Sequence, residues 1–366
     1  MSPRIIFLFP MKLTGENIAI IKEMLEQGNA KESLCELINY IISIQNSQLG
    51  ANYKSVSSKQ LGFYLAKRDE RYFDFEIPKK SGGLRVISAP DPFLKKVQRR
   101  IAFVLSLFYK PLAVTTGFVN QRSIVTNASF HIEKRYLYNL DLKNFFPSIK
   151  YGRVKAVLQL SPFNASPEIA HLIAHLSCYK GVLPQGSPLS PILSNIVCQS
   201  LDRHMLKLAK YFGCQYSRYA DDISLSCNRN IFKDSKFLDD VTHLIESQGF
   251  EINIKKNRLQ KSYQRQEVTG IIVNRKPNLT RAYIKNVRAM LYNWDNKGFN
   301  FTSDQHKKTY LAKEIKINDK SNPAFIDVLR GKILFLGMVR GKFDIYYSSF
   351  HDKFLELLKR DAKYFK

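Results

Sequence analysis

The sequence predicts an α+β fold, and three textures along the chain carry that prediction. Residues 14 to 50, with ENIAIIKEMLEQGNAKESLCELINYIISI at their centre, set apolar residues at helical spacing among polar ones, a helical lead-in that ends near Gly50. From about 51 to 270, short strand-like runs alternate with helices and turn signals. After Lys276, Pro277 and Asn278 the chain turns helical again, with apolar residues at helical spacing in NVRAMLYNW, FIDVLRGKILFLGMV and FLELLKR. Internal repeats and low-complexity linkers are absent from the sequence.

Composition narrows the partner before it narrows the chemistry. Lysine and arginine number 57 against 31 aspartates and glutamates, a formal net charge of +26 over 366 residues. That excess is more than solubility requires and points to a polyanion, nucleic acid first among them. Residues 271 to 366 hold 20 basic and 9 acidic residues, a difference of +11, so the basic character is strong in the last helical stretch. The length suits roughly two or three subdomains, and 45% hydrophobic residues can build a large core. Most of the 19 tyrosines and 25 phenylalanines belong in that core, with some left to serve as base or sugar platforms.

Cys35, Cys178, Cys198, Cys214 and Cys227 are odd in number, widely spaced and form no C-x-x-C pair. Reduced thiols in a cytoplasmic protein are expected, with no zinc ribbon and no disulfide framework. The apolar RIIFLFPM near the start is too short for a signal peptide or a membrane span, so no membrane association is expected.

The chemistry concentrates in SRYADDISLSC, residues 217 to 227. CQYSRY and ISLSC alternate as half-buried strands do, which puts Asp221 and Asp222 at or beside the bend of a β-hairpin. Aspartate is a common turn former, but a turn needs one at most, and a second carboxylate adds repulsion unless the two share a cation. A third acid comes from YLYNLDLKNFFPSI, whose strand-like run at 136 to 142 delivers Asp141 from an apolar and aromatic context where a lone charge is costly. Three carboxylates on two neighbouring strands can hold a pair of Mg²⁺ ions about 3.5 to 4 Å apart, with substrate phosphates completing the shells. In-line phosphoryl transfer uses such a pair, one ion activating an attacking hydroxyl and the other steadying the triphosphate.

YADD at 219–222, NLDLKNFFPSI at 139–149 and LPQGSPLSPILSN at 183–195 resemble the catalytic blocks of reverse transcriptases, in that family's order. IPKKSGGLRVISAPD at 77–91 is similar to the fingers block, GFEINIKKNRL at 249–259 to the palm block with a catalytic-site lysine, and VTGIIVN at 268–274 to the primer-grip region. Two short signatures resemble bacterial retron reverse transcriptases in particular: NASFH at 127–131 and VTG at 268–270.

The resemblance implies a right-hand polymerase fold: a helical lead-in at 1–50, fingers at 51–135, a palm of antiparallel sheet plus helices at 136–275 with a fingers insertion near 151–182, and a basic helical thumb at 276–366. No maturase or endonuclease extension is expected. It further implies RNA-templated DNA synthesis from deoxynucleoside triphosphates on a dedicated structured noncoding RNA, primed from an internal guanosine 2′-hydroxyl. The product would be a branched RNA–DNA molecule, multicopy single-stranded DNA, and the system would serve antiphage defence through a separate effector protein.

Carried over residue by residue, the resemblance makes Asp141 and Asp221 the principal ligands of two Mg²⁺ ions, with Asp222 completing the acidic site. Phe146 takes the place of an aromatic gate against a ribose 2′-hydroxyl, or else packs in the core as phenylalanine commonly does. Arg85 and either Lys79 or Lys80 bind triphosphate oxygens, and Gly82 and Gly83 suit a hairpin tip that moves over the nucleotide. Gln185 and Gly186 face the template pair or the sugar, the glycine allowing close backbone approach. Lys256, or its neighbour Lys255, acts as general acid to the leaving pyrophosphate. Asn127, Ala128, His131, Val268, Thr269 and Gly270 contact the cognate RNA. For Asn127 and His131, capping and packing are the plainer alternatives.

His171, His175 and Cys178 in HLIAHLSC lie at i, i+4, i+7, but no glutamate or fourth ligand accompanies them, so a helix face rather than a zinc site is expected. Other readings stay open. The first is a different polymerase: another reverse transcriptase lineage, of group II intron or abortive-infection type, or an RNA-dependent RNA polymerase. The second is a non-catalytic RNA-binding scaffold. Ala220 and Phe146 stand where RNA-dependent RNA polymerases usually carry glycine and no bulky gate, and the three intact acids weigh against a scaffold.

Overall fold

The computed structural model describes residues 11–79, 82–311 and 323–364. The chain folds as two compact units: the first runs to Ser123 and resumes over Tyr138–Leu259, and the second takes Ile124–Leu137 and the chain from Gln260 onward.

The first unit opens with α1 (Gly15–Gln27), α2 (Lys31–Leu49) and α3 (Ser58–Ala66). Thr14 and Asn17 form a reciprocal capping box at the start of α1, as Ser57 and Gln60 do for α3. The expected lead-in is therefore present, but as two helices broken after Gln27, and α2 ends on Gly50, whose φ of 59° is the left-handed value glycine adopts freely. An antiparallel hairpin follows, β1 (Tyr72–Pro78) and β2 (Leu84–Pro90), in register from Tyr72↔Pro90 to Pro78↔Leu84. Asp91 then caps α4 (Pro92–Phe108) by accepting from Leu94 N, with Pro92 in the first turn where its missing N–H costs nothing.

The chain passes through α5 (Ile124–Ser129) in the second unit and returns along β3 (Tyr136–Lys143). Helices α6 (Tyr151–Leu158), α7 (Pro167–Ser177), α8 (Ser190–Val197) and α9 (Gln199–Phe212) lead to the hairpin β4 (Gln215–Tyr219) and β5 (Asp222–Cys227). After α10 (Ser235–Ser247) come β6 (Glu251–Ile252) and β7 (Arg258–Lys261). The sheet runs β4-β5-β3-β6, with β7 also paired to β3, so the strand carrying Asp141 lies beside the strand that begins at Asp222. On α9, Leu201, Met205 and Ala209 recur every fourth residue and are buried, while the rest of the helix is largely polar. Burying a side chain the size of Leu201 contributes about 2 kcal/mol by removing it from water.

The second unit holds α5, the short hairpin β8 (Glu267–Val268) and β9 (Ile271–Ile272), and helices α11 (Arg281–Lys297), α12 (Phe299–Leu311), α13 (Phe325–Arg340) and α14 (Ile345–Arg360). Its core gathers Ala128, Leu137, Val268 and Ile271 with Leu291, Trp294, Leu329 and Phe354. Trp294 is fully buried, and its indole N–H finds Asp361 at 2.8 Å, so the polar edge is satisfied. Among the described residues, no helix is long and apolar enough to cross a membrane.

Candidate active site

The hairpin expected around the paired acids is present. Register Tyr219↔Asp222 leaves Ala220 and Asp221 as a two-residue turn, and of the two only Ala220 has positive φ, at 56°. A two-residue turn with positive φ at its first central position favours glycine there, so an alanine stores roughly 1–2 kcal/mol of strain. Leu142 N donates to the Asp221 carbonyl at 3.0 Å, which lays the tip of the hairpin against β3 next to Asp141.

Asp141 is buried, and its groups are held from one side. Asn253 N donates to its carbonyl at 2.8 Å, Asn253 Nδ2 to its Oδ2 at 3.1 Å, and Lys256 Nζ to its Oδ1 at 2.8 Å. Lys256, not Lys255, therefore makes the ion pair with the acid. Burial, then the Asp221 and Asp141 charges, push the Asp222 carboxyl up to about 7, against the pull of Lys256 and Arg258. Burial is also the main cause that raises Asp221, with Asp141 adding to it, while a backbone hydrogen bond, Lys256 and Arg85 oppose. The site concentrates negative charge that its own cations only partly offset.

Phe145 and Phe146 differ in burial. Phe145 is buried and stacks on Phe250 with ring centroids 5.7 Å apart, whereas Phe146 is half-buried, its ring 6.1 Å from that of Phe118. Gly186 approaches protein rather than open space: φ is 134°, and a Cβ there would stand 2.6 Å from the Ser88 carbonyl oxygen of β2. The neighbouring Gln185 accepts from Ser88 N at 2.8 Å and keeps a half-buried side chain. Lys79 is exposed at the start of the β1–β2 turn, closed by Lys79 N to Gly83 O at 2.9 Å, with positive φ at Gly82 and Gly83. Arg85 is exposed on β2, and Lys80 lies outside the described residues.

The NASFH and VTG signatures come together in the second unit, but not as a surface. Asn127, Ala128, His131 and Val268 have no solvent exposure, which corrects the expectation that they touch RNA directly. The physical reason is packing: Ala128 and Val268 belong to the hydrophobic core of this unit, and His131 lies in the turn just beyond α5, which ends at Ser129. Burial, then Lys134, lower the His131 pKa to about 3, so the ring is neutral. Thr269 and Gly270 form the two-residue β8–β9 turn with φ of 47° and 84°, and Thr269 Oγ1 donates to the Ile124 carbonyl of α5 at 3.2 Å. Of the six, only Thr269 and Gly270 reach solvent.

His175 uses both ring nitrogens, one with Arg68 at 2.6 Å and the other on the Leu65 carbonyl at 3.0 Å, while His171 bonds Tyr151. Asn253, Arg258 and Phe118 belong to the acid site and its aromatic neighbour but were not singled out by the sequence. Asn253 lies within the GFEINIKKNRL block, yet its double hold on Asp141 spans 112 residues and leaves no local pattern.

The profile of the family described as reverse transcriptase (RNA-dependent DNA polymerase) matches residues 77–273. The chain is 36% identical over 255 residues to the retron Mx65 reverse transcriptase of Myxococcus xanthus, covering 62% of this chain and 56% of the relative. To the retron Ec86 reverse transcriptase of Escherichia coli it is 32% identical over 280 residues, 74% of this chain and 84% of the relative. It thus spans little more than half the length of the Myxococcus relative. Among solved structures, telomerase from Candida albicans in complex with a fragment of telomeric RNA gives a TM-score of 0.43 at 11% identity, over 90% of this chain and 68% of the other. The matched span and the Escherichia coli relative show where the chain stands: it belongs to the reverse transcriptase family of RNA-dependent DNA polymerases, among the bacterial retron enzymes.

Proposed function

We propose that this chain reverse transcribes a dedicated structured noncoding RNA. The observation that carries the reading is that the turn bearing Asp221, and the strand that opens at Asp222, lie against the strand of Asp141, with Lys256 and Asn253 on Asp141. Deoxynucleoside triphosphates are the substrates in this reading. Arg85 and Lys79 meet their phosphates as exposed cations on the β1–β2 hairpin, Phe146 excludes the ribose 2′-hydroxyl, and Gln185 and Gly186 order the loop beside β2. Lys256 delivers a proton to the departing pyrophosphate. The regions 51–135, 136–275 and 276–366 act as fingers, palm and thumb behind the lead-in at 1–50.

Membership of the family implies a divalent metal in general. The donor set fits Mg²⁺, because three carboxylates offer hard oxygen atoms, and a cation would relieve the burial and the neighbouring acid charges that raise the Asp222 pKa. Among the described residues, no three acidic, histidine or cysteine side chains are already grouped closely enough to hold a metal ion, and Asp141 is engaged with Lys256. When bound, two Mg²⁺ ions would activate the attacking hydroxyl and steady the triphosphate, with Asp141, Asp221 and Asp222 as the protein ligands.

Priming from an internal guanosine 2′-hydroxyl, a branched RNA–DNA product, a separate effector protein, antiphage defence and a cytoplasmic location complete the proposal by likeness to retron relatives. The test is co-expression of the chain with the noncoding region beside its gene, followed by analysis of the co-purified nucleic acid. The reading expects short single-stranded DNA joined to RNA through a linkage that debranching enzyme cleaves. Linear DNA, or RNA alone, would return the chain to a generic reverse transcriptase or a scaffold.

A further inference from the structure

Behind the acid turn, the first unit buries a charge pair that the proposed chemistry does not use. Arg218 of β4 and Asp202 of α9 have no solvent exposure and meet through two bonds of 2.7 Å, Nε to Oδ1 and Nη2 to Oδ2. Asp202 also accepts from Thr115 Oγ1 at 2.6 Å and from the Tyr216 hydroxyl at 2.7 Å, so both its oxygens are doubly satisfied. A buried ion pair of this kind is weak support for stability, since apolar replacements often do as well. Its further bonds are more informative.

The remaining guanidinium nitrogen, Arg218 Nη1, reaches forward to the Ala220 carbonyl at 3.1 Å and to Asn195 Oδ1 of α8 at 3.3 Å. Asn195 Nδ2 in turn donates to the Gly117 carbonyl at 2.8 Å. Gly117 is pressed on the same turn from the other side: a Cβ there would lie 2.5 Å from Ala220 N and 3.0 Å from the Tyr219 carbonyl carbon. The segment that carries Gly117 is itself tied to β4, through Arg218 N to Val114 O and Thr116 N to Arg218 O, both at 2.9 Å. Arg218 and Gly117 thus meet Ala220 directly, and Asn195 and Asp202 hold those two in place, around the one residue whose unfavourable positive φ aims Asp221 and Asp222.

We propose that Gly117, Asn195, Asp202 and Arg218 form a brace of positioning residues that fixes the Ala220 turn and so sets the turnover of the acid site. The inference rests on the polymerase reading and deepens it. The brace touches neither substrate nor metal; it acts through the backbone of residues 219 to 221. A misplacement of about 1 Å in a catalytic group can cost on the order of 10²-fold in rate, and that is the loss the brace prevents.

The experiment uses the full chain on a primed RNA template. Gly117→Ala adds one carbon against Ala220 N without removing a charge, and Arg218→Lys keeps a cation for Asp202 while losing the bond to the Ala220 carbonyl. Both should lower kcat per folded molecule by on the order of 10- to 10²-fold, with KM for deoxynucleotides and affinity for the primed template unchanged. Leu25→Ala, in the core of α1, serves as a variant of lowered melting temperature whose kcat per folded molecule stays at the wild-type value. If Gly117→Ala fails to fold, Arg218→Lys decides. Variants whose kcat per folded molecule matches wild type, or whose losses only follow melting temperature, overturn the brace. A wild-type chain that extends no primer overturns the polymerase reading instead.

Discussion

The acid turn of the first unit and the Asn127–His131 segment of the second are both short and both remove titratable groups from water, yet burial leaves them in opposite conditions. At the turn, burial and crowding leave Asp222 titrating at about 7, partly exposed and ready to be relieved by a cation. In the other segment, burial drives the His131 pKa down to about 3, and the ring is neutral, enclosed and in need of nothing from outside. Strain follows the same division. Ala220 holds φ of 56° where its turn presents two acids, whereas the strained Thr269 serves to tie β8 to α5. Two motifs shared with one family thus leave opposite electrostatic conditions, uncompensated charge at an open edge in one unit and an enclosed neutral ring in the other, and the first condition is the one expected of a reactive site.

The largest effect expected is at the acids. Changing Asp221 and Asp222 together to Asn should lower DNA synthesis by on the order of 10³-fold or more, about 4 kcal/mol of barrier, because Asp141 alone would be left to hold the divalent ions. RNA affinity should stay near wild type, since it rests on the distributed basic surface. Primer extension and RNA binding measured on one preparation check this; sustained synthesis would move the chemistry elsewhere. Next in size is Phe146→Ala, which should raise use of ribonucleotides relative to deoxynucleotides by roughly 10- to 10²-fold, the range one apolar group commands in a pocket. A flat ratio in a folded variant would make Phe146 an extension of the Phe145 core.

Much of this was legible in the sequence because it is local. Period-two alternation around Asp221 and Asp222 gave the hairpin, and the run before Asp141 gave its strand. What was not legible depends on side chains meeting across the chain: Asn253 on Asp141, and Arg218 on Asp202, whose partners lie on separate elements. The burial of Asn127 and His131 was not legible for another reason, since it depends on packing within the second unit and on the end of α5 at Ser129, which spacing alone does not reveal. Phe145 and Phe146 are adjacent in a bend, so neither helical nor strand periodicity could assign one to the core and the other outward.

The pH dependence of stability sharpens the comparison further, beginning on the acid side. His131 titrates at about 3 when folded against an ordinary value near 6.5, so the unfolded chain binds the extra proton as pH falls below 6.5. From this residue alone the folded state should lose about 2 kcal/mol between pH 8 and pH 5. His131→Gln has no such group and should show that much less acid sensitivity in urea unfolding, whatever its stability at pH 8. Equal slopes for the two proteins would mean that the ring is open to solvent, and direct RNA contact would be restored as a reading.

The smallest effect has the opposite sign and belongs to the acid turn. Asp222 titrates at about 7 when folded against an ordinary 3.8, so between those values the folded state binds more protons than the unfolded one. Stability therefore falls as pH rises through 7, and with divalent cations chelated the loss between pH 6 and pH 8 should be about 1.4 kcal/mol. Asp222→Asn should remove that loss, and adding Mg²⁺ to the wild-type chain at pH 8 should restore stability, because a cation that binds only the folded form stabilises it. Urea midpoints of both proteins at the two pH values, with and without Mg²⁺, decide the matter. If the wild-type chain is insensitive to pH and to Mg²⁺ alike, Asp222 is already neutralised by Lys256 and Arg258, and the contrast with His131 reduces to exposure alone.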